Sequence, residues 1–303
     1  MSNSVSSADR RKAYLFLSLT TSIWGSLYTV TRIALETVPP ITLLFFRYVI
    51  ASVALFALTR VMNKNMKIRR EDWKYFLFIG AVGYFVSVGA QIVGTKYAGA
   101  SVASLINATN PIFITFFAVL ILKERLTRSK ALAMITTIIG AYVILGGAQT
   151  AGSVWGIAFS MTSVILWSLT SVSVRRITRS YDPIVLTTYA ILIAVICALP
   201  FAGLELYLVP HGEIFSMLNI LCFLYLGVIC TALPNILWNK SLALVEASTC
   251  SLFYPLQPLV SVLLGVTFLG EQVDLKFGVG AMLIVGGILY AMLADRQRSI
   301  PHS

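Results

Sequence analysis

The chain has 303 residues, of which 58% are apolar and 12% are charged, and its mean hydropathy is +0.86. A soluble domain carries roughly 25% charged residues, so a soluble enzyme, a disordered protein and a disulfide-stabilised scaffold are disfavoured. The composition predicts a membrane protein. The formal net charge of +11 would indicate nucleic-acid binding on a soluble protein, but here its meaning depends on where the charges lie.

Ten stretches of the chain are each long and apolar enough for a transmembrane helix, which needs about 20 mostly apolar residues. In chain order they cover about residues 13–33, 41–60, 74–95, 100–122, 129–147, 153–174, 183–202, 216–238, 244–268 and 275–294. Residues 112–122 form a nearly continuous apolar run, whereas the strands of a membrane barrel alternate apolar and polar residues. The predicted fold class is therefore an all-α polytopic membrane protein with ten transmembrane helices.

The positive charges predict the orientation of these helices. With the N-terminus placed inside, 19 of the 23 Lys and Arg fall on cytoplasmic loops, whereas Arg32, Lys96 and Lys276 fall outside and Arg47 lies within a span. This distribution agrees with the positive-inside rule and predicts that both termini are cytoplasmic. The first span is longer than a signal-peptide core and no cleavage pattern follows it, so we expect a retained helix. The charge thus indicates topology, and no nucleic-acid partner is predicted.

The two halves of the chain are similar to each other. A shift of 143 residues aligns positions early in each half, and a shift of 147 aligns later ones. The aligned pairs are Trp24 and Trp167, Arg32 and Arg175, Pro40 and Pro183, Ser104 and Ser251, Pro111 and Pro258, Glu124 and Glu271, and Gly140 and Gly287. Five spans in each half make the second half enter the membrane from the opposite side, which is a recurring transporter architecture. We therefore predict one five-helix repeat over residues 1–147 and a second, inverted one over residues 148–303, and a duplicated structural bundle without transport is the alternative.

Short motifs occur in the same order in both halves. The first copy holds Ala100-Ser101, Pro111, the sequence LKERLT at residues 122–127 and Gly140; the second holds Ala247-Ser248, Pro258, Leu269-Gly270-Glu271 and Gly286-Gly287. Together with Trp24-Gly25 and Phe46-Arg47-Tyr48, these motifs resemble the EamA family of the drug/metabolite transporter superfamily. Within that family the chain most resembles the YddG-type exporters of aromatic and other neutral amino acids.

The resemblance implies ten helices, with spans 1–4 and 6–9 around a central cavity and spans 5 and 10 at the periphery. It also implies a multi-pass protein of the bacterial inner membrane. One position departs from the repeat, because Ala190 aligns with Arg47. Whatever role the arginine has is therefore not duplicated.

Polar and aromatic side chains inside the spans are the candidate site residues, because polar groups are costly in lipid unless they face a cavity or a partner. Tyr84, Ser87 and Gln91 share one helical face. The predicted cavity lining is Trp24, Tyr28, Tyr84, Gln91, Asn107, Asn110, Trp167, Ser168, Asn235, Trp238, Tyr254 and Gln257. The alternatives are interfacial positions for Trp and Tyr and bonds to neighbouring helices for the smaller polar residues. Pro111 and Pro258 predict helix kinks beside this set.

Three charged residues have two interpretations each. Arg47 either binds a substrate carboxylate or makes structural contacts with helix ends or carbonyls near the outer face, and its shallow predicted depth favours the structural role slightly. Glu124 and Glu271 lie at predicted helix ends, which favours structural pairing over proton transfer.

The sequence lacks the groups that other chemistries need. No Asp or Glu lies in the middle of a span, and nucleotide-binding, metal-ligand and hydrolase patterns are missing, so we predict no enzyme activity, catalytic residue, metal or cofactor. We therefore expect an exporter of neutral, especially aromatic, amino acids that works by alternating access as a facilitator. An exporter of another metabolite or drug, and a non-transporting membrane scaffold or enzyme, are the alternatives, and homodimerisation is left open.

Overall fold

The computed structural model describes residues 7–145, 153–269 and 275–298. Within these ranges the chain forms ten helical segments and no strand, which confirms the all-α prediction. The segments are α1 (Ser7–Ala34), α2 (Pro40–Val61), α3 (Arg70–Ala98), α4 (Ala100–Asn107 and Asn110–Leu122), α5 (Arg128–Leu145), α6 (Val154–Ile177), α7 (Pro183–Leu208), α8 (Met217–Leu244), α9 (Ala247–Ser251 and Leu256–Leu269) and α10 (Leu275–Arg298).

Five of the described helices, α2, α3, α6, α7 and α8, are long and apolar enough to cross a membrane. Large apolar side chains also cover much of their outer surface, as at Val53, Ile196 and Leu221. Such a surface suits lipid rather than water as the surrounding solvent. The remaining segments are shorter, divided or more polar, so the predicted number of ten spans stays a prediction.

Two helices are divided beside the prolines that predicted kinks. α4 ends at Asn107 and resumes at Asn110, with Pro111 in the new first turn. α9 ends at Ser251 and resumes at Leu256, with Pro258 in the new first turn. Proline has no N–H group to donate and its ring clashes with the carbonyl four residues earlier, so a first turn is the place that tolerates it.

The third helix of each half contains a π-helical stretch. Residues Phe78–Ser87 of α3 and Tyr225–Ala232 of α8 have this wider turn. The two stretches begin at positions related by the 147-residue shift. π-Helical turns are rare and occur often at functional sites, because they change the face that a helix presents.

The helices of the two halves interleave. α1 packs against α8 and α9, α6 packs against α3 and α4, α2 packs along α7, and α5 packs along α10. α7 also packs against the π-helical stretch of α3, where a Cβ on Gly80 would lie 2.8 Å from the carbonyl oxygen of Ala190. This close approach places α7 behind α2 and α3. The resemblance implied that this helix borders the central cavity, but no residue of α7 is among the lining residues.

Several contacts join the halves at the predicted cytoplasmic end. The Glu124 carboxylate accepts hydrogen bonds from the backbone N–H groups of Ala247 (2.9 Å) and Ser248 (3.1 Å) and from the Ser248 hydroxyl (2.7 Å). Lys130 forms an ion pair with Glu246 and donates to the same hydroxyl at 2.9 Å. Glu124 therefore binds the N-terminus of α9, while its repeat partner Glu271 lies outside the described residues.

Candidate functional site

A cavity of about 40 Å³ lies between helices of both halves. Its lining consists of Trp24, Leu27, Tyr28, Arg47, Tyr48, Tyr84, Ser87, Val88, Gln91, Asn107, Ser163, Trp167, Asn235, Tyr254 and Gln257. These residues come from α1, α2, α3, α4, α6, α8 and α9. A buried water needs about 10–15 Å³, so the cavity has room for about three.

Most of the predicted site residues meet at this cavity. Nine of the twelve predicted lining residues, and Arg47, border it. The other three, Asn110, Ser168 and Trp238, are buried one layer behind it. The structure thus brings these side chains together, and their binding of a substrate stays a proposal.

Sequence reasoning missed Leu27, Tyr48, Val88 and Ser163 as lining residues, and it placed Ser87 only on the helical face shared by Tyr84 and Gln91. Helical periodicity could have found two of them, because Ser163 lies one turn before Trp167 and Val88 lies one turn after Tyr84. Tyr48 follows Arg47 in the chain, and its ring centroid lies 5.6 Å from the guanidinium carbon of Arg47. No sequence pattern distinguishes Leu27 from the lipid-facing leucines of α1.

Aromatic rings form one wall of the cavity. The Trp24 ring packs edge-on against Trp167 at 5.9 Å between centroids, and stacks with Tyr254 at 6.0 Å. Tyr84 meets Trp167 edge-on at 5.5 Å, and Trp238 packs against Trp24 at 5.6 Å. Offset and edge-on pairs are the favourable arrangements of aromatic rings. The wall therefore combines large apolar area with fixed orientation.

Amide side chains form a polar part of the lining. The Tyr28 hydroxyl accepts hydrogen bonds from Gln91 (3.0 Å) and Asn107. Asn110 donates to the Asn107 carbonyl at 2.8 Å, and Ser168 donates to the Asn110 amide oxygen at 3.2 Å. Asn110 thus positions Asn107 and satisfies the carbonyl that Pro111 leaves without a helical N–H partner.

Further bonds fix the aromatic wall. The Trp167 indole N–H donates to the Tyr254 hydroxyl, and Asn239 donates to the Tyr84 hydroxyl at 3.2 Å. The Tyr48 hydroxyl donates to the Tyr84 backbone carbonyl at 2.9 Å. Because the polar groups of Trp167, Tyr84 and Tyr48 are paired, these three rings can be buried at low cost. The wall is preorganised rather than loosely packed.

Arg47 is 3% exposed and reaches the cavity from α2. Its Nε atom donates to the Thr231 hydroxyl in the π-helical stretch of α8, and its Nη1 atom is buried with no hydrogen-bond partner. The structural interpretation expected contacts with helix ends or carbonyls near the outer face. The contact observed is a side chain of the opposite half, at the edge of the cavity.

Comparison with known proteins identifies the family. The sequence pattern of the EamA-like transporter family matches residues 11–146 and 154–293. An "uncharacterized transporter" of Archaeoglobus fulgidus is 29% identical over 283 residues, which cover 91% of this chain and 97% of that protein. An "uncharacterized transporter" of Clostridium kluyveri is 24% identical over 300 residues, which cover 95% of each chain.

A protein of known crystal structure has the same fold. It matches with a TM-score of 0.80 and 21% identity, over 94% of this chain and 98% of the other. The family pattern covers most of the chain in two copies, and the described helices include several that can cross a membrane. The chain therefore belongs to the EamA-like transporter family and is a multi-pass membrane transporter.

Proposed function

We propose that the protein exports neutral amino acids, aromatic ones among them, across the bacterial inner membrane by alternating access without proton coupling. The observation that carries this proposal is the cavity between the two halves, which joins an aromatic wall to a set of neutral amides. Aromatic faces bury the side chain of such a substrate. Asn and Gln amides offer both donors and acceptors to its polar end.

The charges of the lining, with Arg47 as its one charged residue, disfavour a cationic substrate and suit one that carries a carboxylate, such as a zwitterionic amino acid. No Asp or Glu is among the residues that the structure places around the cavity. Cationic drugs would lack a counter-ion there, and proton-coupled transport usually depends on a buried titratable group. The protein is therefore expected to move its substrate down a concentration gradient.

The packing supports two inverted repeats over residues 1–147 and 148–303. Exchanging each helix for the one five places away converts the α1–α8 contact into α6–α3 and the α1–α9 contact into α6–α4. The α2–α7 and α5–α10 contacts convert into themselves. A pseudo-twofold relation of this kind is the geometry by which inverted-repeat transporters alternate between two open states.

Glycine contacts support the same relation at the level of single residues. A Cβ on Gly80 would lie 2.6 Å from the Cβ of Ile193, and a Cβ on Gly227 would lie 2.8 Å from the Cβ of Ile50. Both glycines lie in the π-helical stretches. Ile50 lies three residues after Arg47, and Ile193 lies three residues after Ala190, the position aligned with Arg47. The equivalent close approach in each half is expected if the halves descend from one repeat.

The experiment is transport by purified protein in liposomes. We expect labelled phenylalanine, threonine and methionine to exchange across the membrane at equal pH on both sides. Trp167→Ala should lower the initial rate of phenylalanine transport by tenfold or more, about the loss of one well-packed aromatic contact in binding. Trp155→Ala is the matched control, because Trp155 lies on the same helix and is 73% exposed.

Two results would contradict the proposal. Transport only in the presence of a pH gradient would contradict the uncoupled mechanism. If none of the three labelled amino acids enters the vesicles while another metabolite does, the protein transports a different substrate.

A further inference from the structure

Arg47 carries an unbalanced charge at the cavity. Among the lining residues it is the one that bears a charge, and none of the ion pairs within the described part of the chain includes it. A buried cation in the membrane is normally paired, because it has lost its hydration. With Nη1 unpartnered, the guanidinium retains unused donors for an anionic ligand.

Asn235 carries the opposite kind of unused group. Its Nδ2 atom donates to the backbone carbonyl of Thr231 at 2.8 Å. A carbonyl can only accept, so this bond fixes the orientation of the amide. The Oδ1 atom then points the other way, and it is buried without a partner in a residue that lines the cavity. It is a free acceptor.

Thr231 anchors both of these side chains. Its hydroxyl donates to the Leu226 carbonyl at 2.7 Å, which leaves the hydroxyl oxygen to accept from Arg47. Its backbone carbonyl accepts from Asn235. A cationic donor and a neutral acceptor are therefore both anchored to one residue, and an α-amino acid likewise carries its carboxylate and its ammonium on one carbon atom.

We propose that Arg47 and Asn235 bind the two ionic groups of an α-amino acid, the guanidinium its carboxylate and the Asn235 amide oxygen its ammonium. This assignment rests on the proposed function and deepens it. The guanidinium presents donors in a planar fork that matches a carboxylate. The equivalent position of the second half is Ala190, so the substrate binds in one orientation relative to the two halves.

The first test compares ligands on the wild-type protein in liposomes. Phenylalanine should inhibit the exchange of labelled phenylalanine. Phenylalanine amide, which lacks the carboxylate, and 3-phenylpropionate, which lacks the ammonium, should each inhibit at least about tenfold more weakly, because each loses a charge-assisted hydrogen bond. Equal inhibition by phenylalanine and its amide would overturn the role of Arg47, whatever the variants do.

The second test assigns each preference to its residue. Arg47→Gln should abolish the preference for phenylalanine over its amide, and Arg47→Lys should retain part of it, since the charge remains while the planar fork is lost. Asn235→Ala should reduce the preference for phenylalanine over 3-phenylpropionate and leave the other preference intact. Arg60→Gln is the control, because Arg60 lies on the same helix and is exposed.

The outcomes separate this inference from the proposed function. If the wild-type protein transports phenylalanine and Arg47→Gln or Arg47→Lys keeps the full preference over the amide, the inference is wrong and the proposed function stands. If the wild-type protein transports none of the amino acids, both are wrong.

Discussion

Single residues at the cavity fall into two groups, those that line it and those that hold the lining. Asn110 was predicted to line the cavity but lies behind it, bonded to Asn107 and Ser168. Its side chain is fully buried, so its amide completes a local network instead of facing a ligand. Such a residue sets the orientation of its neighbour, and its effect on transport is indirect.

Replacing Asn110 with Ala should therefore lower stability as well as transport. The change leaves the Asn107 carbonyl and the Ser168 hydroxyl without partners, at a cost of about 1–3 kcal/mol for a buried polar group. We expect a lower thermal midpoint in detergent and a raised KM for phenylalanine. Asn65→Ala, at an exposed loop position, should leave both unchanged. A thermal midpoint equal to that of the wild type would contradict the positioning role.

Periodicity explains which site residues the sequence could predict. Tyr84, Ser87 and Gln91 lie on one helical face and do meet at the cavity. The spacing cannot say how far a helix is rotated about its axis, so it predicts cavity lining for Asn110, Ser168 and Trp238, which lie one layer behind the cavity. It also cannot reveal the bond between Arg47 and Thr231, because that contact depends on how α2 meets α8.

At the scale of elements, the π-helical stretches determine how closely the helices approach. Gly227 lies in the stretch of α8, where a Cβ would come within 2.9 Å of the Arg47 carbonyl oxygen and 2.7 Å of the Ile50 side chain. The absent side chain lets α8 lie against α2. This contact places Thr231 within reach of Arg47.

Gly227→Ala should accordingly destabilise the protein and displace Arg47. Overpacking of a close contact costs about 1–3 kcal/mol. The thermal midpoint and the rate of phenylalanine transport should therefore both fall. Gly203→Ala is the matched control, because Gly203 lies within α7 and a Cβ there meets no atom within 4 Å. Alanine favours a helix over glycine by about 1 kcal/mol, so this control should keep or raise the midpoint. A Gly227→Ala protein as stable as the control would show that the contact is not tight.

The helical class and the two-copy family pattern could be predicted from the sequence, because both follow from apolar runs and ordered motifs. The π-helical stretches could not, since residues 78–87 are as apolar as an ordinary transmembrane helix. The position of α7 was also missed. The repeat alignment shows Ala190 where the first half has Arg47. The close contact of Ala190 with Gly80 depends on how the helices pack, so the sequence does not predict it.

At the scale of the whole molecule, side-chain contacts join the two halves at the predicted cytoplasmic end. Glu124 and Lys130 of the first half bind residues 246–248 of the second. A further pair, Lys64 and Asp182, joins the halves at 2.7 Å. These contacts must separate if substrate is to enter from the cytoplasm, so under alternating access they belong to one of the two end states.

Locking this contact should stop transport. In a background without the four native cysteines, Glu124→Cys and Ser248→Cys would replace two side chains whose oxygen atoms lie 2.7 Å apart. Cross-linking the pair with a short reducible reagent should abolish phenylalanine exchange, and reduction should restore it. Each single-cysteine protein serves as the control. Full exchange by the cross-linked protein would contradict a moving contact at this end.

The aromatic wall also gives the protein a built-in optical probe. The chain has five tryptophans, and three of them, Trp24, Trp167 and Trp238, lie together at or just behind the cavity. Trp73 and Trp155 are more exposed, at 37% and 73%. Three of the five emitting indoles therefore lie at or beside the cavity, and opening of the halves is expected to shift the ultraviolet emission of the unlabelled protein in wavelength.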